Sequence, residues 1–159
     1  MTVTFVDDRS VTPLSEDFEL GVLRALANAT LLSEGLPSDT EVAISLLDVA
    51  AMAELNEAHM GKSGPTDVLS FPLEDLAPGS LPQAMSDGPP VNLGDVFICP
   101  GVVANNAAAA RVRLRDEMAL MVVHGLLHLL GYDHVVDSEA EQMEQRERDL
   151  MAAAGLVRP

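Results

Sequence analysis

The segment Asp116–Leu130 constrains this chain more than any other, because its residues are apolar nearly all round the helix they predict. A helix with no polar face has to be buried centrally and covered by other elements. Met118 to Leu130 is the most apolar run in the sequence, interrupted by His124 and His128. It falls short of the ~18 or more uninterrupted apolar residues that mark a membrane span. There is ample material to cover such a helix: 48% of the 159 residues are hydrophobic and the mean hydropathy is +0.19. Wholesale disorder is thereby excluded, and the length predicts a single domain over residues 1–159.

With aromatics at 3% and no Trp, the core has to come from Ala, Leu, Val and Met, and few residues offer stacking platforms for single-stranded nucleic acid. The 25 Asp+Glu against 9 Lys+Arg give a net charge of -16, which argues against binding polyanions through a broad basic face. One cysteine, Cys99, excludes an intramolecular disulfide framework and fits a reducing compartment. No basic stretch followed by an apolar one opens the sequence, so no signal peptide is expected and the cytoplasm is the expected location.

Thr2–Val6 reads as a strand. Ser15 is a plausible N-cap for a first helix, with Glu16 and Asp17 suiting the positive helix start. Phe18, Val22, Ala25, Leu26 and Ala29 repeat at helical spacing until Gly35 and Pro37 end the pattern. Val42–Leu47 predicts a second strand, and Asp48 a cap for a helix reaching about Ala58, with Ala51, Met52 and Leu55 on its buried stripe. Thr66–Phe71 and Leu93–Ile98 predict two more strands, separated by a long irregular loop, 72–90, that holds five of the ten prolines. Val102–Arg113 and Asp116–Leu130 predict adjoining helices. The last helix opens on a Ser138-x-x-Glu141 capping-box spacing, carries Met143, Glu147, Leu150 and Met151, and stops at Gly155. The pattern predicts an α/β (α+β) fold, a small mixed four-stranded sheet packed with about five helices, the central buried one carrying histidines.

Three of the four histidines fall within His124-Gly-Leu-Leu-His128-Leu-Leu-Gly131-Tyr-Asp-His134. Residues i and i+4 of a helix project from one face, so His124 and His128 can point at one ion. Gly131 permits the backbone needed to end the helix and return His134 to the same ion. Three imidazoles with a position left for water make an open, catalytic type of zinc site. Incidental histidines are the competing reading. Among Met, Val and Leu, however, metal-free imidazoles leave polar nitrogens buried and unpaired, at about 1–3 kcal/mol each. An ion held by neutral ligands lowers the pKa of bound water toward about 7, which makes hydrolysis the default reaction class without choosing among ester, amide and phosphodiester. The spacing matches that of the metzincin zinc proteases, but Gly125 stands where those enzymes need a glutamate base.

H-G-L-L-H-L-L-G-Y-D-H at 124–134 resembles the signature of the YbeY family of bacterial metal-dependent endoribonucleases, also described as ribosomal RNA maturation factors. Leu55-Asn56 followed by G-P-T-D-V-L-S-F-P at 64–72 resembles a second block of that family, and Gly94-Asp95 leading into Val96–Ile98 resembles its next strand. The resemblance implies a zinc-dependent, single-strand-selective endoribonuclease in ribosomal RNA processing, small-subunit maturation and ribosome quality control. It also implies one Zn2+ held by His124, His128 and His134, with the small ribosomal subunit and the assembly GTPase Era as partners. The alternatives are another zinc hydrolase, or a ribosome-assembly binding protein with a structural metal. Met60 stands where many members carry an RNA-contacting arginine; Lys62 offers a point charge without the arginine fork.

Other polar residues have two readings each. Asp67 is either a carboxylate orienting a ligand histidine or a strand-start hydrogen-bond acceptor. Tyr132 and Asp133 flank the third ligand and face either the bound water or, for Asp133, the turn itself; Asp95 is equally open. Arg111, Arg113 and Arg115, the only basic cluster, either anchor phosphates or form a solvated face near a helix end. His59 reads as a surface or capping histidine, Cys99 as a small buried hydrophobe with a zinc role as its alternative, and the acidic segment 137–149 as a solvated helix face rather than a second metal site.

Overall fold

Short runs rich in Val, Ile and Phe form the four strands of one sheet in the computed structural model, which describes residues 1–9, 19–80 and 88–159. The strands are β1 (Thr2–Asp7), β2 (Glu41–Leu46), β3 (Val68–Pro72) and β4 (Asn92–Ile98); the helices are α1 (Leu20–Ser33), α2 (Val49–Met60), α3 (Pro100–Ala110), α4 (Leu114–Leu129) and α5 (Asp137–Ala153). The sheet order is β1-β2-β4-β3. β1, β2 and β4 run parallel, while β3 pairs antiparallel with β4 and forms an edge. This is the mixed four-stranded sheet with five helices that the sequence predicts.

Side chains alternate across a sheet, and the β3–β4 register decides what each face carries. Ser70 lies opposite Val96, and both meet Gly125 of α4. Leu69, Phe71 and Phe97 point the other way, where they join Leu47, Met52, Leu55 and Cys99 in a smaller core beneath α2. Asp95, one residue from Val96, belongs to that second face and is separated from α4 by the sheet. The larger core lies between the sheet and α1, α4 and α5. Ten residues of α4 are buried, nine of them within this core, with Leu126, Leu127 and Leu129 completely so. Full burial of each such leucine stabilises the fold by about 1.5–3 kcal/mol, which makes the apolar segment the centre of the core.

Some expectations are corrected. The buried stripe of α1 is Leu23, Leu26, Ala27, Thr30 and Leu31, whereas Ala25 and Ala29 are exposed. A stretch rich in Ala and Leu fits two neighbouring stripes, and packing against α4 selects the one with the larger side chains. The Ser138 capping box does not form, since α5 starts at Asp137 behind Val136 with no side-chain cap. Asp48 stands at the start of α2 and likewise makes no side-chain cap. Ser15, Glu16, Asp17 and Phe18 lie outside the described residues, as does 81–87 of the long loop. Among the described residues no helix is long and apolar enough to cross a membrane.

Candidate metal centre

His124 and His128 project from the last two turns of α4, as their spacing requires. Beyond Leu130 the chain turns at Gly131, whose φ of 95° suits glycine. An added Cβ there would lie 2.1 Å from the Leu76 carbonyl oxygen, so the turn needs glycine for space as well. The turn returns His134 to the helix face. One ligand atom from each of His124, His128 and His134 lies within 4.8 Å of the others, so the three can hold one metal ion.

The donor set fits that ion. His124 Nδ1 lies 3.1 Å from Glu147 Oε2, and His128 Nδ1 lies 2.9 Å from the Tyr132 carbonyl oxygen. With each Nδ1–H donated to an oxygen, each ring presents an unprotonated Nε2, the form a metal needs. Burial, then the neighbouring His124 and His134, hold the His128 imidazole below its ordinary value, favouring the neutral ligand form.

The carboxylate behind His124 is the residue that sequence reasoning missed. Glu147 is 1% exposed, an exception in an acidic segment that is otherwise mostly solvated, and Arg158 approaches its other oxygen at 3.4 Å. The available signal was a lone carboxylate on the apolar stripe of Met143, Leu150 and Met151. Asp67 does not take this part. Its Oδ1 accepts from the Val68 backbone N–H at 2.8 Å and the Thr66 hydroxyl at 3.3 Å, the strand-start arrangement.

Tyr132 is corrected too, because its hydroxyl donates to Glu34 at 3.2 Å, within the fold. Asp133 Oδ1 accepts from the His134 N–H at 2.7 Å and so stabilises the turn. Arg111, Arg113 and Arg115 sit around the start of α4, nine residues or more before His124, or about 14 Å or more along a helix axis. Arg113 and Arg115 pair with Asp116, and Arg115 also with Glu19, so the cluster is not among the residues lining the cleft. His59 is exposed at the end of α2 with its ring edge against Phe71, and Cys99 is fully buried, its thiol pushed up chiefly by burial.

Gly125 has a packing reason to be glycine. A Cβ there would meet Val96 at 2.5 Å, and its carbonyl accepts from Ser70 Oγ at 2.9 Å. No side chain can therefore project at the position of the peptidase base without displacing β4. The histidines open onto a cleft of about 560 Å³ also lined by Asn56, Met60, Lys62, Asp67, Ser70 and Val135.

A mixed α/β fold whose central helix and following turn present to an open cleft three histidines that could hold a metal ion defines the class of domain. The family model "Endoribonuclease YbeY" matches residues 5–155, and this chain belongs to that family. Among relatives named Endoribonuclease YbeY, the Mycolicibacterium vanbaalenii protein is 48% identical over 111 residues, covering 70% of this chain and 60% of its own length. That of Mycobacterium tuberculosis is 50% identical over 103 residues, covering 65% of this chain and 58% of its own. The chain thus spans about three fifths of the length of the curated relatives it matches. A Thermotoga maritima protein whose structure was determined in solution shares the fold, with a TM-score of 0.56 at 24% identity over 96% of this chain and 91% of its own.

Proposed function

We propose that this protein is a zinc-dependent endoribonuclease that cuts single-stranded RNA in ribosomal RNA processing and small-subunit maturation, with a part in ribosome quality control. The observation that carries the reading is the convergence of the His124, His128 and His134 ligand atoms within 4.8 Å at the wall of an open cleft, in a chain of the YbeY family. In this reading residues 1–159 act as one domain in the cytoplasm, with the small ribosomal subunit and the assembly GTPase Era as partners.

The three imidazoles would hold one Zn2+, His124 and His128 through Nε2. When bound, the ion polarises a phosphoryl oxygen and lowers the pKa of its water. Glu147 fixes the His124 ring and its protonated nitrogen, and the Tyr132 carbonyl does the same for His128. The absence of a side chain at Gly125 disfavours a peptidase and leaves phosphodiester hydrolysis as the better-supported chemistry.

Metal analysis joined to cleavage of ribosomal RNA precursors tests the proposal. Wild-type protein should carry one zinc per chain and cut single-stranded RNA, and His128→Ala should lose both while remaining folded. Wild type that never cuts RNA sinks the enzyme reading; unfolding of His128→Ala would make the metal structural.

A further inference from the structure

Two of the three histidines share one support. The Tyr132 carbonyl accepts from His128 Nδ1 at 2.9 Å and His134 follows two residues later, so the path of the backbone at Tyr132 sets both. The local bonds there run back to α4: the Tyr132 N–H donates to the Leu127 carbonyl at 3.0 Å, and the Gly131 N–H to the His128 carbonyl at 3.1 Å. Toward α5 the chain has less to hold it, since residues 133–136 are all exposed. Tyr132 is the one buried residue between Leu130 and α5.

Its side chain reaches elements distant in sequence. The ring is buried, and the hydroxyl donates at 3.2 Å to Oε2 of Glu34, 98 residues away at the end of α1. The other oxygen of Glu34 accepts from Arg146 Nε of α5, and Arg146 also donates to Ser33 Oγ at 2.8 Å. The Glu34 side chain is 8% exposed, so both its oxygens are committed where water has little access. A tyrosine has only two side-chain torsions, so fixing the hydroxyl end of a buried ring restrains the backbone that carries it.

We propose that Glu34 and the Tyr132 hydroxyl are positioning groups for the metal centre, holding the turn so that His128 and His134 stand ready for the ion; this rests on the zinc reading above. The competing account is a hydrogen bond that stabilises the fold without reaching the ligands. The two accounts differ in what zinc feels. A preorganised site loses none of its binding free energy to ordering the turn, so loosening the turn lowers affinity in protein that is still folded. Linkage makes the effect reciprocal, and zinc must strengthen the contact between Tyr132 and Glu34 as much as that contact strengthens zinc binding.

Zinc affinity of the full chain, measured on folded protein by competition with a chromophoric chelator, tests the proposal. Tyr132→Phe retains the ring and removes only the hydroxyl; affinity should fall about tenfold, the low end for groups behind a ligand. Glu34→Ala should fall similarly, and the two changes together no further than either alone, because they break one chain of contacts. Leu23→Val, a truncation in the buried stripe of α1, should lower stability and leave zinc affinity unchanged. Hydrogen exchange reads the reciprocal effect. Zinc should slow exchange of the Gly35 and Leu36 amides, which bond to the Leu32 and Leu31 carbonyls beside Glu34, in wild type and not in Tyr132→Phe. Wild-type affinity in Tyr132→Phe, additive losses in the double variant, an equal loss in Leu23→Val, or exchange indifferent to zinc overturns the positioning role and leaves the zinc reading in place. Wild-type protein that takes up no zinc removes both.

Discussion

Gly125 and Gly131 lack side chains for different physical reasons. Gly125 lies in ordinary helix but presses on Val96, whereas Gly131 combines a positive φ with a backbone oxygen where its Cβ would stand. Gly131→Ala is expected to destabilise the protein by about 2–4 kcal/mol, read from urea unfolding, because the backbone penalty and the clash add. At Glu147 the expected effect falls on the metal. Glu147→Gln retains the shape but weakens the acceptor for His124, so zinc affinity should drop about 10–100-fold in competition with a chromophoric chelator. An unchanged affinity would mean that Glu147 only fills space. Glu147 also shows why one ligand-orienting residue escaped sequence reasoning: it is 23 residues from His124, and only the packing of α5 on α4 brings them together.

At the scale of elements, a part-buried polar staple holds the turn that presents His134. Glu34, at the end of α1, accepts from the Tyr132 hydroxyl and from Arg146 of α5, and Arg146 also reaches Ser33 Oγ at 2.8 Å. Burial, followed by the Glu34 carboxylate, holds the Tyr132 hydroxyl above its ordinary value, so it remains a donor at neutral pH. Glu34→Ala should cost about 1–3 kcal/mol in chemical denaturation, since it strands Tyr132 and partly exposed Arg146 without their acceptor. No sequence period announces this staple. Element types were legible because α4 is apolar all round and the strands are short runs rich in Val, Ile and Phe. Caps were less legible: Ser138 and Glu141 have capping-box spacing, but α5 begins one residue earlier and leaves the box unused.

For the whole molecule, pH acts on stability through the half-buried His128 imidazole. The folded state holds His128 below its ordinary 6.5, so the unfolded chain binds the proton first as pH falls. Stability of the metal-free protein is therefore full above pH ~6.5 and declines as pH drops from there toward the lower folded-state value. Thermal melts with chelator present should show the decline, and His128→Asn should flatten it. The net charge of -16 sets a second whole-molecule property, since charges beyond about 8 Å are largely screened in physiological salt and the cleft feels its local groups. The body can be acidic while the cleft, with Lys62 and the divalent ion proposed for its histidines, presents positive charge to phosphate. The sequence by itself determined the fold class, the central helix and the histidine trio, because helical period and a glycine turn are local properties of the chain. Only the tertiary structure decided which carboxylate backs His124, where Tyr132 points, that the arginine cluster lies away from the cleft, and why Gly125 admits no side chain. Those depend on which surfaces meet across tens of residues, and local spacing carries no information about such meetings.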